Sequence, residues 1–146
     1  MKISIITAVY NRAGTLSSSI DSVQSQCYAN TEHVLVDGAS SDGSVELIQQ
    51  RMRPHDVFVS ERDGGIYDAL NKGLKLATGD VIGLVHSDDF LADPHVLRDV
   101  AQALSQPGVH GVYGDLQYVS KDDTNKVIRN WKSGQYHPSK LKRGWM

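Results

Sequence analysis

Gly79-Asp80-Val81-Ile82-Gly83-Leu84-Val85-His86-Ser87-Asp88-Asp89-Phe90 opens at a Gly-Asp turn, runs through the apolar segment Val81 to Val85, and breaks into the polar tip His86-Ser87-Asp88-Asp89. A short apolar run bounded by turn residues predicts a buried strand of a parallel sheet. Open α/β sheets bind ligands just beyond the carboxyl ends of their strands, where this tip falls. Two adjacent carboxylates repel each other unless a positive charge lies beside them. A divalent cation with oxygen ligands meets that need. The plainer reading makes Asp88 and Asp89 solvated loop residues, one of them capping the next helix. Ser-Asp-Asp alone favours that reading, and the surrounding chain shifts the balance.

The segment before it has apolar residues at Ile66, Ala69, Leu70, Leu74 and Ala77, the spacing of an amphipathic helix that ends at Thr78-Gly79. After it, Asp93-Pro94 starts a helix with Val96, Leu97, Val100 and Leu104 inward, stopped by Gln106-Pro107-Gly108. Further out, Ile3 to Val9 predicts a buried first strand. Thr15 is placed to cap a helix with Leu16, Ile20 and Val23 at helical spacing, ending near Cys27-Tyr28. Glu32 to Val36 predicts the second strand, Val45, Leu47, Ile48 and Met52 a helix closed by Pro54, and Val57 to Val59 a third strand. Val109 to Val119 and Lys126 to Trp131 read as extended, joined by a hairpin turn at Lys121-Asp122-Asp123-Thr124-Asn125. Alternation of strands and helices implies an α/β fold, a mostly parallel central sheet with helices on both faces.

A chain of 146 residues, 40% hydrophobic and 22% charged, has the composition of one soluble globular domain or part of one. Its net charge of -2 provides no field for nucleic acid. The single cysteine, Cys27, excludes an internal disulfide, suits a reducing and hence cytoplasmic compartment, and is expected to pack as a small apolar helix residue. No apolar run reaches membrane-spanning length, and the first strand is too short for a signal peptide. Residues 133–146 show no element and end on Lys140-Leu141-Lys142-Arg143-Gly144-Trp145-Met146. The expected organisation is a domain over 1–132 and an irregular basic, aromatic tail over 133–146, the cut start of an acceptor-side region. Such a tail has the composition of a peripheral contact with an anionic membrane. A surface segment lacking its packing partners is the commoner case.

The polar clusters fall after the strands: Thr7 to Arg12, Asp37-Gly38, Glu61 to Gly65, and Ser87 to Asp89. Strands of one parallel sheet point the same way, so these clusters should share a rim. Carboxylates, guanidinium groups, an aromatic ring and Gly-rich backbone suit a nucleoside diphosphate. Neither common phosphate loop occurs: there is no G-x-x-x-x-G-K-[ST], and no G-x-G-x-x-G follows the first strand.

Four blocks occur in order: Ile5-Ile6-Thr7-Ala8-Val9-Tyr10-Asn11, Val36-Asp37-Gly38-Ala39-Ser40-Ser41-Asp42-Gly43-Ser44, Gly65-Ile66-Tyr67-Asp68-Ala69-Leu70-Asn71-Lys72-Gly73, and His86-Ser87-Asp88-Asp89. Together they resemble the family 2 glycosyltransferases, over roughly residues 3–120. The resemblance implies the Rossmann-like GT-A fold and a nucleotide-sugar donor. It implies an inverting transfer to the hydroxyl of a saccharide or lipid-linked saccharide, in cell-surface polysaccharide synthesis. The implied cofactor is Mg²⁺ or Mn²⁺, neutralising the departing diphosphate.

The same resemblance implies residue roles. Tyr10 would lie against the nucleobase, with Thr7 and Val9 lining its pocket. Asp37 would accept a hydrogen bond from the base, a role compatible with an Asx turn before Gly38. Arg12 and Arg62 would reach phosphate or base, although solvated arginines are as common at such places. Asp68 and Lys72 would border the nucleotide, or form an i,i+4 surface pair. Ser87-Asp88-Asp89 matches the family's metal motif with Ser87 in place of its first acid. Asp89 would bind the metal, and Asp88 would bond ribose or a metal-bound water. His86 would pack at the strand end. A carboxylate should take the acceptor's proton, and Asp115 is the candidate, against a role tying the sheet together. Two other classes stay open: a sugar-phosphate nucleotidyltransferase, which usually has a denser Gly-rich basic loop after its first strand, and a truncated module that binds nucleotide without catalysis.

Overall fold

The computed structural model describes residues 1–137. The chain divides into two compact units, one over Met1–Gln102 and one beginning at Ala103. The first contains β1 (Ile3–Val9), α1 (Ala13–Gln24), β2 (Thr31–Asp37), α2 (Ser44–Arg51), β3 (Val57–Ser60), α3 (Ile66–Leu76), β4 (Val81–Leu84) and most of α4 (Val96–Leu104). Its sheet has the order β3-β2-β1-β4, with every neighbouring pair parallel. The expected α/β architecture is therefore present.

Register decides the faces. Ile3, Ile5, Val9 and Leu35 face Leu16, Ile20 and Val23 of α1, Ile48 of α2, and Leu97 and Ala101 of α4. Ile6, Val34 and Val36 face Ala69 and Leu70 of α3. The central strands β1 and β2 are buried along nearly their whole length, as apolar β-branched segments covered on both sides must be. A polar knot closes the sheet's lower end. Buried Glu32 accepts from Ser4 Oγ at 2.5 Å, from the Thr78 N–H at 2.6 Å, from the Thr78 hydroxyl at 2.8 Å, and pairs with Lys2.

Four local expectations change. Thr15 does not cap α1, which starts at Ala13. The N–H groups at its start are met from a neighbouring loop: Ser44 Oγ accepts from the Arg12 N–H at 2.9 Å and Asp42 Oδ2 from the Ala13 N–H at 2.9 Å. Helix α1 ends at Gln24, so Cys27 lies beyond it, exposed, with Sγ 3.1 Å from His95 Nδ1. Leu74 is 49% exposed because α3 seats on Ala69 and Gly73, which turns Leu74 outward. Strand β4 lies at the edge of its sheet, and Ile82 and Leu84 are exposed on the face that α3 covers over β1 and β2.

In the second unit, β5 (Leu116–Val119) pairs antiparallel with β6 (Val127–Trp131) across the expected turn. The hairpin forms its own ladder, a separate two-stranded sheet. Arg129 lies over the rings of Tyr118 and Trp131, at 5.8 and 5.6 Å. The tail expectation over 133–146 falls largely on residues outside those described. Among the described residues, no helix is long and apolar enough to cross a membrane.

Candidate functional site

The chain runs β1 to β2 to β3 in one direction, then crosses to place β4 on the other side of β1. That reversal makes a crevice at the carboxyl ends of β1 and β4. A cleft of about 980 Å³ opens there, within the first unit. Its walls come from the segments after all four strands: Tyr10 to Arg12, Gly38-Ala39, Arg62-Asp63 and His86 to Asp88. The shared rim expected from the polar clusters is thus formed.

Two non-glycine residues on this wall have left-handed backbone, Asn11 at φ 51° and Ala39 at φ 62°. Such conformations cost energy and persist where surrounding bonds over-determine them. Here the two loops clamp each other: the Asn11 N–H donates to Ser40 Oγ at 2.8 Å, and Asn11 Oδ1 accepts from the Ser41 N–H at 3.0 Å.

Of the residues named from sequence, Val9, Tyr10, Arg12, Arg62, Ser87 and Asp88 line the cleft. Tyr10 is 65% exposed, a ring held out with a free surface. Asp37 lies wholly buried at the end of β2. Its Oδ2 accepts from the Ser40 N–H at 2.9 Å and from Ser60 Oγ at 2.7 Å, while Oδ1 has no partner. Asp37 is not on the cleft wall; a ligand donor would have to reach the buried Oδ1 behind it, where an unsatisfied carboxylate oxygen is costly.

Thr7 does not line the cleft. It is fully buried, and its hydroxyl donates to the Val85 carbonyl at 2.7 Å. Asp68 and Lys72 are also outside the wall. They brace the loop after β3: Asp68 Oδ2 accepts from the Gly64 N–H at 3.0 Å, and Lys72 Nζ reaches the Arg62 carbonyl at 3.0 Å and Glu61 Oε1 at 2.8 Å. The Gly64 bond and then Lys72 lower the Asp68 pKa, and Glu61 foremost raises that of Lys72. Asp115 belongs to the second unit, where its Oδ1 accepts from the N–H and hydroxyl of Ser133, each at 3.0 Å.

Asp63 was missed from sequence. It lines the cleft, its Oδ1 accepts from the Gly65 N–H at 2.8 Å, and its Oδ2 stands so close to Gly38 that a β-carbon there would be 2.8 Å from it. Its only signal was its place in a polar turn after a strand, which does not say which way a side chain points.

Asp88 is on the cleft wall and Asp89 is not. Asp89 is exposed as a residue, yet partial burial of its carboxylate and then the charge of Asp88 raise its pKa, with His86 opposing. A cation beside Asp89 would offset the charge of Asp88 that disfavours its ionised form. Among the described residues, no three His, Cys, Asp or Glu side chains gather as a complete metal set. A cation here would therefore draw further oxygens from a bound ligand or water, as Mg²⁺ and Mn²⁺ sites shared with phosphates do.

The profile of glycosyl transferase family 2 matches residues 4–145. The chain belongs to this family. An uncharacterized glycosyltransferase of Mycobacterium tuberculosis is 36% identical over 107 residues, covering 73% of this chain and 41% of that protein. The family 2 chain thus spans less than half the length of that relative. Among solved structures, S. aureus TarS 1-349 in complex with UDP-GlcNAc matches with TM-score 0.64 and 26% identity, over 71% of this chain and 31% of that one. The mannosyltransferase PcManGT from Pyrobaculum calidifontis, in complex with GDP-Man and Mn²⁺, matches with TM-score 0.68 and 26% identity, over 82% and 36%. The family 2 domain has the GT-A type of fold expected from its sequence.

Proposed function

We propose that this domain holds the nucleoside-diphosphate-sugar donor for an inverting sugar transfer to an acceptor hydroxyl, in cell-surface polysaccharide synthesis. The observation that carries the reading is the cleft at the β1/β4 crevice, where the Tyr10 ring, Arg12, Arg62 and Asp88 come together. Tyr10 supplies a face for the nucleobase. Asp37 Oδ1 supplies the acceptor for a base N–H. Arg12 and Arg62 draw the diphosphate into the cleft. Asp88 and Asp89 would hold Mg²⁺ or Mn²⁺, which when bound would neutralise charge on the leaving diphosphate.

The proton of the attacking hydroxyl is assigned to Asp115, supported by its being the acid available after the metal strand outside turns and helices. Its engagement by Ser133 equally suits a structural tie. The acceptor in this reading is a saccharide or a lipid-linked saccharide, reached from the cytoplasmic side of a membrane. The lone Cys27 suits that reducing compartment. A second reading, a nucleotide-binding module without turnover, is favoured by Asp115 being held by Ser133 as a structural tie would hold it.

Calorimetry against UDP-, GDP- and dTDP-sugars, with Mn²⁺ and with EDTA, tests the proposal. One donor should bind tighter with metal, and a longer chain should release its nucleoside diphosphate in the presence of acceptor. Binding without release supports the second reading. No binding of any nucleotide sugar rejects both.

A further inference from the structure

Three consecutive carbonyls lead into the acidic tip, and each accepts one hydroxyl from the body of the domain. Thr7 Oγ1 donates to the Val85 carbonyl at 2.7 Å, Ser19 Oγ to that of His86 at 3.1 Å, and Thr15 Oγ1 to that of Ser87 at 2.9 Å. The donors come from β1 and from two successive turns of α1. Thr7 and Ser19 are fully buried. Strand pairing does not account for these bonds. The β1–β4 register ends at Ile6 opposite Leu84, and the last backbone link is the Val85 N–H to the Ile6 carbonyl at 3.2 Å. Beyond it the chain leaves the sheet, and the hydroxyls take over.

A fourth residue stands behind the first hydroxyl. Thr7 Oγ1 lies 2.8 Å from His33 Nε2. A threonine hydroxyl has one hydrogen, and the Val85 carbonyl can only accept it. The contact with His33 is therefore accepted by Thr7, which puts the imidazole proton on Nε2. The other nitrogen, Nδ1, is buried without a partner. A leucine or valine would fill this place on β2 without an unsatisfied nitrogen. What the imidazole adds is a donor that polarises the Thr7 hydroxyl and strengthens its bond to Val85.

We propose that Thr7, Ser19 and Thr15 are positioning residues for Asp88 and Asp89, with His33 reinforcing Thr7. They fix the backbone from Val85 to Ser87 before any ligand arrives, so that the acidic tip is presented in one orientation. This rests on the reading of the cleft as a donor site. The arrangement supports metal-bearing carboxylates as an outer layer of hydrogen bonds supports metal ligands, where losing one partner costs about 10–100-fold in metal affinity.

The test compares wild type with Thr7→Val, Thr7→Ser, Thr15→Val and Thr15→Ser, using UDP, GDP and dTDP as probes, each titrated with Mn²⁺ and with EDTA. Amide hydrogen exchange at residues 86–89 is read on the free protein. Thr7→Val and Thr15→Val should cut the Mn²⁺-dependent gain in affinity about tenfold, leave affinity in EDTA unchanged, and speed exchange at the tip. Each serine variant keeps the hydroxyl and should restore both readouts. If Thr7→Val fails to fold, the half-buried Thr15 pair carries the test alone. Valine variants that keep the full Mn²⁺ gain and the slow exchange overturn the positioning role while leaving the donor site intact. A wild type that binds none of the three nucleotides overturns the donor-site reading, and this inference with it.

Discussion

Gly73 of α3 lies directly on Ile6 of β1: a β-carbon at position 73 would overlap Ile6 Cγ2 and stand 3.5 Å from Ile6 Cβ. This is the point where the helix comes down onto the sheet, and α3 in turn places the loop of Arg62 and Asp63 on the cleft wall. Gly73→Ala gains helix propensity of about 1 kcal/mol. The overlap with a fully buried side chain should cost about 1–3 kcal/mol and outweigh that gain. Urea denaturation should therefore show a net loss of stability. A more stable variant would mean that the contact relaxes freely.

Acid should destabilise the domain in two windows. Burial lowers the His33 pKa to about 4, with Asp56 opposing and Arg53 adding to the depression. The unfolded chain takes up a proton that the folded chain refuses, so stability falls as pH drops from 6.5 towards about 4. Burial pushes the Glu32 carboxyl up, but bonds from Lys2, Ser4 and Thr78 outweigh it and bring it to about 2. Its contribution is present above pH 4.5 and is lost as pH falls towards 2. Thermal melts across this range should show both declines. His33→Gln should flatten the upper one and Glu32→Gln the lower. A wild-type melting temperature that is constant from pH 7 to about 4.5 would contradict a buried neutral His33.

The proposed role of Asp37 at the base is tested by comparing a nucleotide with a phosphate ligand that lacks a base. With Asp37 as the base acceptor, Asp37→Ala would leave a base N–H unpaired and should weaken nucleotide binding by about 1–3 kcal/mol. Inorganic pyrophosphate has no base, so its affinity should hold. Because Asp37 Oδ2 also ties Ser40 and Ser60, a melt of the variant is needed as a control. Equal losses for both ligands in a folded variant would move Asp37 from the base to the phosphates or to the fold.

Asp88→Ala and Asp89→Ala should each abolish the Mn²⁺-dependent part of UDP or GDP binding while leaving the melting temperature near that of wild type. Both residues are exposed, so neither supports the core. Calorimetry with and without EDTA reads the effect. Binding as tight in EDTA as in Mn²⁺, or untouched by both substitutions, removes the metal from the site.

The sheet was legible because its signal is local. Ile3 to Val9 forms β1 over the expected residues, β2 is one residue longer than expected at each end and β3 one residue longer at its end. A β-branched run buried on both sides needs no information from elsewhere in the chain. Thr15 was misplaced because a hydroxyl near a helix start looks like a cap, whereas its acceptor is the carbonyl of Ser87, 72 positions away. Leu74 fits the helical spacing as well as Leu70 does. Which of them turned inward depended on the close approach at Gly73.

The amino-acid sequence by itself determined the alternation of strands and helices, the polar segment after each strand, and the family. Those properties follow from hydrophobic period, turn chemistry and the order of short blocks, all readable along one dimension. Tertiary structure alone decided which polar side chains face the cleft. Thr7 turned inward to hold Val85, Asp68 and Lys72 became braces, and Asp63 came onto the wall. These assignments depend on which partner folding brings near each side chain and on the direction that side chain takes. A hydrogen bond is satisfied by whichever group folding brings within about 3 Å, and residue spacing does not record that distance.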